Sequence, residues 1–258
     1  MKQELLDWAQ KYVTQFNELS ELYKCSYYTQ SPLTEINSDI DLMIIGINPK
    51  GSIESGISNK NDIEFLRGNP FWSQRFNADG SIHKDWAKFF GGARFFLGYR
   101  GNKSSDTIDD DNKTVWTNLS PFVSPKGSSD LRKELLKSGI ESTIELISIL
   151  KPKKILFLGC GAFEKIKKHS NSRIEYYKVF DNQNLFIGRI NDIPAITVNH
   201  PSGPWAAVSN KFTSVFIFLH SLCEDGKSPL KDVKQKMMNE LKLWQTRINI
   251  IVLGNGMG

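Results

Sequence analysis

The sequence predicts an α/β protein, a three-layer α/β/α sandwich around a mainly parallel central sheet. Three observations carry that expectation. Short runs such as "DLMIIGI", "KKILFLG" and "IPAITV" are apolar at consecutive positions, as strands are when both sides of a sheet are covered. Segments with helical spacing separate these runs, which is the alternation that parallel strands need. Gly, Pro, Asn and Ser gather where the runs end. With 258 residues and no visible repeat or linker, the chain reads as a single domain, 1–258.

In order along the chain, residues 2–24 place Leu5, Trp8, Ala9, Tyr12, Val13, Phe16, Leu19 and Tyr23 on one face of an amphipathic helix. "DLMIIGI" (41–47) is a buried strand ended by the turn chemistry of "NPKG". Residues 52–68 are polar and read as a loop, and 70–97 hold aromatic residues at helical spacing. The acidic stretch 101–113 reads as a surface insertion. "TVWTNL" (114–119) is a second strand, a helix follows over about 130–150, and "KKILFLG" (153–159) is a third strand. "AFEKIKKH" opens the next helix, "IEYYKVF" and "NLFIGRI" are two short strands, and "IPAITVN" (193–199) is the last core strand. Helices over about 205–223 and 228–245 close the domain, with residues 226–258 forming a C-terminal helix and tail.

Composition narrows the function classes. The formal net charge is +5, compatible with an anionic partner and equally with solvated helix ends at "KPKK" (151–154) and "KIKKH" (165–169). The three cysteines are widely spaced, so neither a disulfide framework nor a metal-ligand set is expected, and a reducing, cytoplasmic location follows. Acidic residues interrupt the N-terminal apolar positions, so that segment does not read as a signal peptide. No apolar run approaches the roughly 20 residues that span a bilayer.

Ligands of open parallel sheets sit beyond the carboxyl ends of the strands. Four such ends are "GINPKG", "TNLSPF", "LGCGAF" and "NHPSG", and three of them present Asn48, Asn118 and His200. His200, beside Pro-Ser-Gly at the end of a strand, is suited to a catalytic loop or to a structural turn. A metal reading is poor, since His83, His169 and His220 have no paired spacing. No metal or other cofactor is expected.

"GINPKG" (46–51) resembles the first motif of the uracil-DNA glycosylase superfamily, in the Asn-Pro form of its mismatch-specific and single-strand-selective branches. "NHPSG" (199–203) resembles the second motif. "NPFW" (69–72) is similar to the segment whose aromatic ring stacks on the base, and "TNLSPF" (117–122) to the strand end with the base-reading asparagine. "LKPKKILFLG" (150–159) resembles the third strand. The likeness covers roughly 41–220. It implies a glycosylase-like fold and hydrolysis of the N-glycosidic bond of uracil, or a related damaged pyrimidine, in single- or double-stranded DNA.

By this resemblance Asn48 orients the attacking water and His200 stabilises the departing base. Gly46, Ile47, Pro49, Phe71, Asn118 and Ser202 contact the base, and Lys50, Gly203, Pro204 and Trp205 contact DNA. The residues support the same roles. An Asn118 amide offers its carbonyl to uracil N3–H and its NH2 to O4, the opposite of what cytosine needs. Phe71 supplies a π-face, or else packs in the core. Asn118 reads the base, or else closes a turn.

Two departures stand out. Lys50 replaces the glycine usual after Asn-Pro, and Pro204 and Trp205 stand where Leu or Arg usually wedges into the duplex. Trp205 either fills that gap or begins the following helix. These departures leave an alternative: a catalytically inactive nucleic-acid- or nucleotide-binding protein on the same fold. Gly159 and Gly161 also suggest a dinucleotide loop, but Glu164 stands in the third glycine's place.

Overall fold

Burial on two sides is what makes the strands. The computed structural model describes residues 2–51, 59–84, 86, 111–126, 129–169, 176–178, 186–198, 200 and 239. Among these, six strands form one sheet: β1 (Leu42–Gly46), β2 (Thr114–Asn118), β3 (Ile155–Leu158), β4 (Tyr176–Lys178), β5 (Phe186–Ile190) and β6 (Ile193–Val198). Their order is β2-β1-β3-β6-β5-β4. The first four are mutually parallel, β5 runs against β6, and β4 runs against β5. The fold is therefore α/β with a mostly parallel sheet.

Register explains the continuous apolar runs. Val115, Met43, Ile155 and Ala195 form one row across the parallel strands, and Trp116, Ile44, Leu156 and Ile196 form the next. Successive rows face opposite sides of the sheet, and both are buried. The first row belongs to the main core, packed with α1 (Gln3–Tyr23), α3 (Lys133–Leu150) and α4 (Cys160–His169). On the other side, the Trp116 ring lies 6.3 Å from that of Trp72, which in turn meets Trp86 edge-on.

The first helix forms as its spacing predicts, burying Leu5, Trp8, Ala9, Tyr12, Val13, Phe16 and Ser20. It is bound to α3 by the indole N–H of Trp8 on Ser142 O (3.0 Å) and by the Tyr12 hydroxyl on Glu145 (2.8 Å). Phe16 is surrounded by Tyr12, Tyr27, Phe65 and Phe122 at ring distances of 5.2–5.7 Å. Outside β2, the strand at the end of the sheet, Ser31 takes up the exposed edge. Its N–H and hydroxyl donate to Trp116 O, and Trp116 N–H donates to Ser31 Oγ.

Two segments differ from the sequence expectation. Within 52–68, expected to be a loop, Asp62–Leu66 forms the short helix α2. A reciprocal capping box between Asn61 and Glu64 starts it, and Phe65 and Leu66 bury its inner face. In the 70–97 region, the described residues 70–84 and 86 hold one 3-10 turn, Trp72–Arg75, where helix was expected, and residues 85 and 87–97 lie outside the described residues. Trp72 and Phe76, four residues apart, both place their rings against the Arg75 guanidinium. Asp111, the described end of the expected acidic insertion, is tied to that turn and half-buried. The helices expected at 205–223 and 228–245, and the tail, lie outside the described residues apart from Asn239. No described helix is long and apolar enough to cross a membrane.

Candidate functional site

Strand order is what assembles the site. The carboxyl ends of β2, β1, β3 and β6 lie side by side in that sequence, carrying Asn118, then Gly46-Ile47-Asn48, then Gly159-Cys160, then His200. At about 4.8 Å between strands, Asn118 and the end of β6 are three spacings apart, roughly 14 Å.

Asn118 is half-buried at the last position of β2, directly opposite Gly46. Its carboxamide lies over that glycine, so a Cβ at position 46 would run into Asn118 Oδ1. The backbone there is pinned as well. Leu119 N–H donates to Gly46 O and Ser120 N–H to Ile47 O, both at 2.9 Å, while the Thr143 hydroxyl donates to Asn118 O. Asn118 is therefore a seated side chain whose partner strand supplies the space.

Asn48 is half-buried, and its amide nitrogen donates to Ser124 Oγ (2.8 Å), Pro49 O (2.9 Å) and, more distantly, Phe122 O (3.4 Å). The donor end is occupied by the neighbouring loop, so the acceptor Oδ1 is the end left for a ligand or water. Pro49 is buried and Lys50 exposed, with Lys50 and Ser124 extending the parallel pairing past the ends of the strands. Ser124 went unnoticed in the sequence, since nothing local links it to a residue 76 positions away.

His200 is half-buried just beyond β6, and burial holds its imidazole below the ordinary value of 6.5. It is accordingly neutral at physiological pH. Gly159 has φ +90°, and a Cβ there would stand 3.7 Å from His200 Cβ. A Cβ at Gly161, in the first turn of α4, would stand 3.1 Å from Ile47 Cδ1, whereas Gly159 is called for by its positive φ. Burial pushes the Cys160 thiol up, and its sulfur lies 3.7 Å from the Thr197 hydroxyl.

Phe71 is 59% exposed, whereas its neighbour Trp72 is buried. Phe71 is thus not a core residue. Ser202, Gly203, Pro204 and Trp205 lie outside the described residues. The clusters at 151–154 and 165–169 lie at the start of β3 and the end of α4, the opposite edge of the sheet from the four strand ends. Lys50, Lys126 and Arg132 are described cations of the loops on the site's own edge. Two surface grooves, of about 540 and 330 Å3, flank the start of α3, and Ser124 lines the smaller of them.

No protein-family model matches this chain, and no curated protein matches it either.

Proposed function

We propose that this chain is a base-excision glycosylase of the uracil-DNA glycosylase type, hydrolysing the N-glycosidic bond of uracil or a related damaged pyrimidine in DNA. The observation that carries the reading is the side-by-side order of the strand ends bearing Asn118, Asn48 and His200. Asn48, Asn118 and His200, spread over about 150 residues of sequence, stand at carboxyl ends of parallel strands of one sheet, which supports the reading.

In this mechanism the extruded pyrimidine stacks on the exposed Phe71 ring and is read by Asn118. Uracil satisfies both ends of the amide. Cytosine leaves both unpaired, at a cost of about 1–3 kcal/mol per buried group. Asn48 orients water through Oδ1, since its nitrogen is held by Ser124 and the loop carbonyls. An amide takes no proton, so bond cleavage runs ahead of attack and leans on the leaving group. His200, kept neutral by burial, donates a hydrogen bond to the oxygen that becomes anionic as the base departs.

The test is base release from a single-stranded uracil oligonucleotide by the full chain. Activity is expected, and replacing His200 and Asn118 together by Ala should abolish it. Tight, salt-sensitive binding without base release would overturn the enzyme reading and favour the binding protein on the same fold.

A further inference from the structure

We infer that Asp111 and Arg75 are positioning residues that hold Phe71 in place as the stacking face of the site, an inference that rests on the glycosylase reading above. An exposed phenylalanine next to a buried tryptophan calls for an explanation, because a free-swinging ring presents no fixed face to a base. The backbone on both sides of Phe71 is fixed to the edge of β2. Upstream, Asn69 N–H donates to Gln30 O, beside the Ser31 that bonds Trp116, and Asn69 Oδ1 accepts the N–H of Phe71 itself at 2.9 Å. Downstream, the Trp72 ring packs on Trp116, two residues before Asn118.

The downstream attachment is a part-buried ionic clamp. Asp111 Oδ2 accepts from Arg75 Nη2 at 2.6 Å, and the Asp111 carboxylate accepts from Trp72 Nε1 at 3.1 and 3.2 Å. The guanidinium lies 4.6 Å from the Trp72 ring centroid and 4.8 Å from that of Phe76, and donates to Trp72 O. One carboxylate thus fixes a guanidinium, an indole and the turn between them, three residues before β2 begins. Surface ion pairs of this kind contribute little, but Arg75 is only 9% exposed, and a partner lost at such a depth leaves a charge without compensation. The clamp gives the acidic 101–113 segment a role at its described end: Asp111 anchors the stacking platform.

A double-mutant cycle on the full chain tests this. Asp111→Asn and Phe71→Ala should each lower kcat/KM for a single-stranded uracil oligonucleotide, by about five- to 150-fold for loss of one stacking contact. Combined, they should be no worse than Phe71→Ala alone, because both remove the same contact. Losses that multiply would overturn the inference and mark Asp111 as merely structural. Arg75→Lys, which keeps the charge and loses the fork, provides a second cycle if Asp111→Asn folds poorly.

A readout independent of catalysis separates this inference from the glycosylase reading. With 4-fluorophenylalanine at position 71, the fluorine resonance should shift or broaden in Asp111→Asn and in Arg75→Lys. An unchanged resonance in both overturns the clamp, whatever the activity. A shifted resonance in a chain that releases no base supports the clamp's hold on Phe71 and overturns the function it was assigned to serve.

Discussion

Burial keeps the His200 ring neutral near pH 7, and this fixes how acid acts on the protein. Above about pH 6.5 the imidazole is neutral in both folded and unfolded chains. Below that value the unfolded chain takes up the proton first, so stability falls with pH until the lower folded value is passed. Denaturation midpoints measured from pH 7.5 down to 5 should show this decline, and His200→Asn should lack part of it. Asn48 supports a second prediction. Asn48→Asp supplies the proton acceptor that an amide is not, a change general-base catalysis puts at about 10²–10⁴-fold at most. The new carboxylate would face Pro49 O and Phe122 O, which now accept from the amide. The rate gain is therefore expected on the alkaline side, with a loss of stability of about 1–3 kcal/mol. Steady-state rates and melting curves on one preparation check both parts. No gain at any pH would count against a water-orienting Asn48.

Among the elements, α2 is the most instructive. Five residues are too few for a periodic signal, and the surrounding polarity suggested a loop. The signal that was present is the Asn61-x-x-Glu64 box. Asn61→Ala should cost about 0.5–2 kcal/mol, measurable by urea denaturation. An unchanged midpoint would mean that burial of Phe65 and Leu66 sustains the helix by itself. By contrast, α1 and the strands of the parallel sheet were legible, because a one-sided stripe and a two-sided apolar run each state their burial locally. The 3-10 turn at Trp72–Arg75 was not, since its aromatic spacing copies that of a helix while the cause, Asp111, stands 36 residues away. Asn48 and Asn118 were identified from sequence as candidate site residues. The contacts that orient them, Ser124 and Gly46, come from other strands and loops and leave no mark on neighbouring residues.

For the whole molecule, the order β2-β1-β3-β6-β5-β4 separates interior from edge strands. β1 and β3 are paired on both sides and buried on both faces, so their amides should exchange with solvent most slowly. β4, at the margin, should exchange fastest among the strands. Hydrogen exchange resolved by residue decides this, and rapid exchange at Ile44 and Leu156 would contradict the parallel core. The same order has a consequence for synthesis. β6 reaches its interior place only as one arm of the antiparallel pair with β5, and His200 follows directly after it. A chain emerging from the ribosome therefore holds the segments carrying Asn48 and Asn118 well before the segment carrying His200. His200 takes its place only when the closing hairpin of β5 and β6 docks against β3.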